Sequence, residues 1–404
     1  MKVLFLTIIG VKNVSERGLY NDLMRKFRDN GHDVYIACPT ERRNKTNTNL
    51  RVQDSIHVLS IRTLNFQKTN IIEKGLGSLM IGYQFLNAIK KYYAEVRFDV
   101  VIYATPPITF TDVIKYIKEK SQAMTYLLLK DIFPQNAVDL GMMKRHSMIH
   151  NYFKRKEKLL YSISDHIGCM SPANIDFVKV HNPYLDTNVL EINPNSIEPL
   201  ENLIEVDARE AVRSKYAIPN EATAFIYGGN LGKPQGISFL IEILNSNINR
   251  HDCFFVVAGS GTEFPRIQDW FDTAKPLNAI LLKSMKKPEY DLLLQSCDVG
   301  LIFLDPRFTI PNFPSRLLSY MECKMPILAA TDINTDVGKI IEENKFGFWA
   351  ESGDIKSFND KVNRLIGNKD MIVEMGTKSY TFLIEHYTVD VSYNQIIKHL
   401  PQHV

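Results

Sequence analysis

The stretch Asn312-Phe313-Pro314-Ser315-Arg316-Leu317-Leu318-Ser319-Tyr320-Met321-Glu322 places one fixed cation, Arg316, in the opening turn of a short helix. The first N–H groups of a helix have no partner inside it, and together with a guanidinium they can hold an anion such as a diphosphate. Pro314 is tolerated at a helix edge because its missing N–H would be unpaired there anyway, and Ser315 can offer its hydroxyl to the first turn. Leu317, Leu318 and Met321 share one apolar face, and Pro326 stops the helix before a buried strand over 327–330. Two glycine-bearing turns accompany it. In Tyr227-Gly228-Gly229-Asn230-Leu231-Gly232-Lys233-Pro234-Gln235-Gly236 the backbone can approach phosphate oxygens closely. Ala258-Gly259-Ser260-Gly261 suits close approach by a ribose or base. All three leave strand ends on one edge of a sheet, which describes a nucleotide-diphosphate cleft. Neither a P-loop nor G-x-G-x-x-G is present, and the chain has no Asp-x-Asp pair, so no divalent metal is expected.

The first half offers one acid or base. Lys130-Asp131-Ile132-Phe133-Pro134-Gln135-Asn136 follows a strand predicted over 124–129, at the end where open α/β sheets bind ligands. Asp131 is the candidate, with a helix N-cap as its other reading. Residues 144–160 combine a run of Lys and Arg with Met148, Ile149, Tyr152, Phe153, Leu159 and Leu160. That is the composition of a helix lying on an anionic membrane surface; a charged helix packed on one face is the plainer account.

The elements that must position these groups alternate strand and helix through the whole chain. A chain of 404 residues, 45% apolar and 23% charged, is a soluble-type globular protein of two domains. Residues 1–200 carry 27 Lys+Arg against 19 Asp+Glu, or +8, and residues 201–404 carry 21 against 26, or −5, which gives the +3 of the whole. A basic first half suggests an anionic surface or ligand there. Five scattered cysteines with no C-x-x-C pair argue for reduced thiols, against a disulfide framework or zinc site. Residues 39–54 are polar and unpatterned and predict a mobile loop; 71–93 predict a long helix with an apolar body at Leu76, Leu79, Met80, Tyr83, Phe85 and Leu86. Residues 194–222, acidic and proline-punctuated, read as the linker into a second sheet with strands over 224–228, 254–258, 279–282 and 299–304.

These motifs, with Gly31-His32-Asp33-Val34, Ala104-Thr105-Pro106-Pro107 and Asn193-Pro194-Asn195-Ser196, resemble those of GT-B-fold glycosyltransferases of family four, in the family's order along nearly the whole chain. The likeness is closest to the bacterial capsule and O-antigen branch that adds N-acetylated deoxysugars such as N-acetylfucosamine. The resemblance implies an α/β fold of two Rossmann-like domains facing a central cleft. Residues 1–200 would bind the acceptor, 201–380 the nucleotide sugar, and 381–404 would return as a helix to the first domain. It implies retaining transfer from a UDP-sugar without a metal or other cofactor, to a polyprenyl-diphosphate-linked saccharide at the inner face of the cytoplasmic membrane. Nucleic acid is not an expected partner.

The implied catalytic set is Asp131, Lys233 and Arg316. Gly228, Gly229, Asn230, Gly232 and Gln235 would surround the diphosphate, Gly259 and Gly261 the nucleoside, and Lys283 and Ser284 the base. Phe313, Pro314, Ser315, Leu317, Ser319 and Glu322 complete the donor side. Gly18, Lys154, Arg155 and Lys156 are assigned to the acceptor and membrane side. Two glutamates of the family's helix read here as Pro311 and Ser319, so Glu322 or Ser319 would take the ribose. Alternatives within this reading are a UDP-N-acetylhexosamine 2-epimerase and a non-catalytic partner subunit of a transferase.

Overall fold

The structure is a computed structural model that describes residues 1–66, 71–201, 203–283 and 285–401. The chain forms two units, Met1–Glu198 with Thr388–Val404, and Pro199–Tyr387. Each is a largely parallel α/β sheet of Rossmann-like type. The chain passes back to the first unit after Tyr387, because residues 381–386 complete the helix Lys369–His386 of the second.

In the first unit the described strands are β1 (Lys2–Leu6), β2 (Asp33–Glu41), β3 (Asn49–Gln53), β4 (Ile56–Thr63), β5 (Val100–Ala104), β6 (Met124–Leu129), β7 (His166–Cys169) and β8 (Leu190–Ile192). They lie in the order β3-β4-β2-β1-β5-β6-β7-β8. The central strands are apolar on both faces, as strands covered by helices on each side must be; β5 is buried at every position. The returning helix Val389–Ile397 packs on this core, its Ile396 fully buried in the cluster that holds Phe5, Phe27 and Tyr126.

Two expectations fail here. Within 39–54, residues 49–53 form β3, paired antiparallel to β4. A strand at the sheet edge can be polar, so its sequence carries little apolar alternation. The helix Ile71–Tyr92 forms, but Leu76, Leu79, Met80 and Tyr83 are exposed while Phe85 is buried. Spacing alone does not say which face of a helix meets the sheet.

The second unit carries β9 (Thr223–Asn230), β10 (Cys253–Ser260), β11 (Ala279–Lys283), β12 (Val299–Phe303), β13 (Ile327–Thr331) and β14 (Gly347–Glu351) in the order β11-β10-β9-β12-β13-β14, all parallel. The order reverses between β9 and β12, and such a switch point opens a crevice at the strands' C-terminal ends. Helix Arg316–Glu322 follows β12 and seats Leu317, Leu318, Tyr320 and Met321 in the core. Each fully buried apolar side chain of this size contributes about 1.5–3 kcal/mol.

Tyr320 also ties β9 and β12 together. Its hydroxyl donates to the carbonyls of Ile226 (3.2 Å) and Leu301 (2.9 Å), and accepts from the N–H of Gly228 at 3.3 Å. The ring lies flat against Gly300, where a Cβ would come within 2.3 Å of it. Gly300→Ala is therefore expected to lower unfolding free energy by about 1–3 kcal/mol, the cost of overpacking. Denaturant unfolding measures this, and an unchanged midpoint contradicts the packing described.

Candidate functional site

The turn after β9 is more ordered than a loop. β9 and β10 stay paired through Gly228 and Ala258, Gly229 and Gly259, Asn230 and Ser260. What brings the two glycine segments so close is the missing side chain at 259, where a Cβ would stand 1.9 Å from the Gly229 carbonyl oxygen. A Cβ on Gly228 would meet the Tyr290 hydroxyl at 1.8 Å, and one on Gly261 the Leu231 backbone at 2.3 Å. Gly229 has a φ of 114°, a backbone region open to glycine, and it faces solvent.

Arg316 reaches across to this turn. Its guanidinium lies over the Tyr227 ring, 4.2 Å from the centroid. Nη2 donates to the Gln235 side-chain oxygen and, at 3.5 Å, to the Asn230 carbonyl. Tyr227 closes the ring of contacts by donating to the Asn230 carbonyl at 2.9 Å. Nη1 of Arg316 is buried and has no hydrogen-bond partner among the described residues. A buried donor on a cation is costly to leave unmade, and Nη1 is therefore the atom of this cluster that an acceptor would satisfy.

The other expected donor-side residues divide. Asn230 and Lys233 are exposed, Gln235 is half-buried, and Gly232 leaves room for the Asn230 side chain, 3.1 Å from where its Cβ would be. Lys283 ends β11 and is exposed; Ser284 lies outside the described residues. Phe313 is buried with its ring 6.0 Å from that of Tyr387, and Pro314 is buried. Ser319 is half-buried.

Three details depart from expectation. The Ser315 side chain makes no cap; its helical dihedrals, φ −63° and ψ −21°, differ from the extended ones that turn a hydroxyl toward the first N–H groups. The Leu317 side chain is wholly buried, so it belongs to the core. Glu322 is also buried, on the face that packs inward. Sequence reasoning passed over Tyr227 and Tyr320 as site residues. Tyr320 stands four residues after Arg316, one helical turn on, and that spacing was the available signal.

Residues 208–382, within this unit, match the family model described as glycosyl transferases group 1. That match, with the relative below, marks the protein as a glycosyltransferase. Among known proteins, this glycosyltransferase is 20% identical to "Probable glycosyltransferase WbjE" of Pseudomonas aeruginosa over 293 residues, 70% of this chain and 69% of that one. Two solved structures share its fold. Anabaena HepE, in complex with UDP and glucose, has a TM-score of 0.71 at 13% identity and covers 99% of both chains. WaaG, a glycosyltransferase involved in lipopolysaccharide biosynthesis, has a TM-score of 0.67 at 11% identity over 98% of this chain and 99% of its own. The fold is thus that of the GT-B transferases.

In the first unit of this glycosyltransferase, Asp131 follows β6. The Asn136 amide donates to both of its carboxylate oxygens at 2.8 Å, and its own N–H donates to the Thr105 hydroxyl at 3.2 Å. Burial pushes its pKa up to about 6, and the Asn136 hydrogen bond works against that rise. The neighbouring Lys130 amine donates to the Asn193 carbonyl at 2.9 Å, and burial brings it down to about 7. Gly18 caps helix Leu19–Asp29, its N–H bonded to the Asp22 carboxylate at 2.8 Å. Of the expected membrane cations, Lys154 pairs with buried Glu157, and Lys156 lies 3.4 Å from Asp112; Arg155 is exposed. No helix among the described residues is long and apolar enough to cross a membrane.

Asp131 yields a stability test. Its folded value, about 6, lies above the ordinary carboxylate value. The protonated form is the one the fold favours, so its contribution is intact below about pH 4 and is lost as pH rises through about 6. Asp131→Asn cannot ionise. Its melting temperature relative to wild type should therefore be higher at pH 7.5 than at pH 4.5, and an equal difference at both contradicts the shift.

Proposed function

We propose that this protein is a retaining glycosyltransferase of bacterial capsule or O-antigen synthesis. It moves an N-acetylated deoxysugar from UDP to a polyprenyl-diphosphate-linked saccharide at the inner face of the cytoplasmic membrane. The observation that carries the donor half is Arg316, braced on Tyr227 beside a glycine turn, with one buried N–H unfilled. UDP and glucose bound in HepE, and the place of WaaG in lipopolysaccharide biosynthesis, support a sugar nucleotide and a glycan acceptor.

In the transfer the bond between the anomeric carbon and the phosphate oxygen breaks, and its electron pair leaves with UDP. Fixed cations and amide dipoles aimed at that phosphate supply most of the stabilisation such a step needs. Arg316 and the amide at Asn230 are assigned this task, with Lys233 as the second cation, and no metal is required. The acceptor hydroxyl oxygen bonds to the anomeric carbon, and its proton passes to the departing phosphate oxygen; the first unit's Asp131 carboxylate, ionised above about pH 6, is assigned as the acceptor-side acid or base.

The membrane side rests on helix Met148–Ile163. Met148, Tyr152 and Leu159 are exposed on its outer face with Arg155, at spacings of four, three and four residues. An apolar stripe that carries cations suits an anionic bilayer surface.

Arg316→Ala is expected to weaken UDP binding by about 10- to 100-fold, the loss of hydrogen bonds to a charged group. Arg316→Lys should recover little, since an ammonium has no planar fork to lie on Tyr227. Calorimetric titration of UDP measures both, and wild-type affinity in Arg316→Ala removes the donor reading. Transfer should persist in EDTA; its loss there contradicts a metal-free reaction. Flotation with anionic liposomes should carry the wild type and leave Tyr152→Glu/Leu159→Glu behind. Equal flotation of both proteins, or of neither, contradicts the membrane reading.

A further inference from the structure

The second unit has a cavity of about 520 Å³ that the donor reading touches only at Lys233 and Gly236. It opens where the helices Ile237–Ser246, Phe264–Ala274 and Ile355–Leu365 begin, and it shares Lys233 and Gly236 with the glycine turn. Neither Arg316 nor Tyr227 lines it. The space is of the size that holds small molecules.

Its chemistry is evenly balanced. Three cations, Lys233, Arg266 and Arg307, face three carboxylates, Glu242, Glu263 and Asp305. Arg307 is already held in a fork by Asp305, at 2.8 and 2.7 Å. Arg266 donates to the Ser238 hydroxyl at 2.8 Å and lies 3.8 Å from Glu263. A phosphate or nucleotide entering here would have to displace carboxylates from their arginines and sit beside the remaining negative charge. A metal ion would need a cluster of ligands, and no group of three His, Cys, Asp or Glu that could hold one occurs among the described residues.

A neutral hydroxyl, which both donates and accepts, can meet alternating cations and carboxylates without disturbing them. Pro306, exposed, with Ile237 and Phe239 adds apolar surface for the C–H face of a sugar ring. Ser352 supplies an independent sign of an occupant. It lines the cavity, is 8% exposed, and its buried hydroxyl has no partner among the described residues.

The geometry points to a second binding site on this domain, for a neutral mono- or disaccharide, separate from the Arg316 cradle. The site adjoins the donor turn mechanically. The N–H of Asp305 donates to the Pro234 carbonyl at 3.1 Å, and a Cβ on Gly236 would meet the Leu304 carbonyl oxygen at 2.7 Å. A saccharide held between Arg266 and Asp305 therefore braces the turn that presents Gln235 to Arg316.

The test is saturation-transfer NMR on the full chain held in excess UDP, with millimolar N-acetylglucosamine, its β1,4-linked disaccharide, and inorganic phosphate as separate probes. The expected result is a saccharide signal that persists in UDP and falls at least about fivefold in Ser238→Trp, which fills the cavity from an exposed position. Should Ser238→Trp fail to fold by circular dichroism, Glu242→Ala, an exposed acceptor, is expected to weaken the same signal. Absence of any saccharide signal overturns the site, as does a signal unchanged in the folded variants. A signal abolished by UDP places the sugar in the donor cradle and overturns it too. Binding of phosphate alone overturns the ligand class. Because UDP is titrated separately, failure here is distinct from failure of the donor reading.

Discussion

A guanidinium resting on a tyrosine face is the contact on which the second unit's site depends. Taking a cation out of water costs free energy unless partners replace the lost hydration. Arg316 receives only part of that replacement from the Tyr227 ring, Gln235 and the Asn230 carbonyl. Holding the ring and the carbonyl in place requires β9 and β10 to stay in register up to their last residues, with Tyr320 fastening β9 to β12. The absent side chains of Gly228, Gly259 and Gly300 permit this, by letting Tyr290, the Gly229 carbonyl and Tyr320 come close. The glycines thus serve first as packing residues, and the proposed anion cradle is a consequence of that packing.

The first unit has its own polar framework, and it runs to the end of the chain. Lys130 bonds the carbonyl of buried Asn193, whose side chain takes a hydrogen bond from Ser392 at 2.7 Å and donates to Tyr126 at 2.9 Å. Tyr126 in turn donates to Glu191, which His399 and Lys398 also reach, at 2.9 and 3.0 Å. The returning segment is therefore wired into the strand end that carries Asp131. A fully satisfied network of this kind fixes geometry more than it adds stability. It explains why a helix so distant in sequence belongs to this sheet.

Much of this was readable from the residues, and the misses share a cause. Most of the strand and helix order, the glycine turns and the position of Arg316 follow from local pattern, whereas β3, β4 and β14 were not among the strands expected. Ser315 looked like a cap because capping was judged from residue type, whereas the dihedrals that enable it are set by the loop before it. Leu317 and Glu322 were placed at the ligand because the motif surrounds one, yet both face the core. Tyr227 was hidden for the opposite reason, since a tyrosine near the end of an apolar strand reads as core and its role depends on a helix 89 residues later. Lys156 reads as surface charge until Asp112 comes near it in the fold, whereas the Lys154–Glu157 pair is one helical turn apart in the sequence itself. What local pattern leaves out is the partner brought from elsewhere.

The most direct measurement is a crystal structure of the chain with UDP. The account predicts a diphosphate oxygen within hydrogen-bond distance of Arg316 Nη1, with the Asn230 amide turned toward the same group and Tyr227 still beneath the guanidinium. A diphosphate bound elsewhere on the second unit, with Nη1 still unfilled, contradicts it.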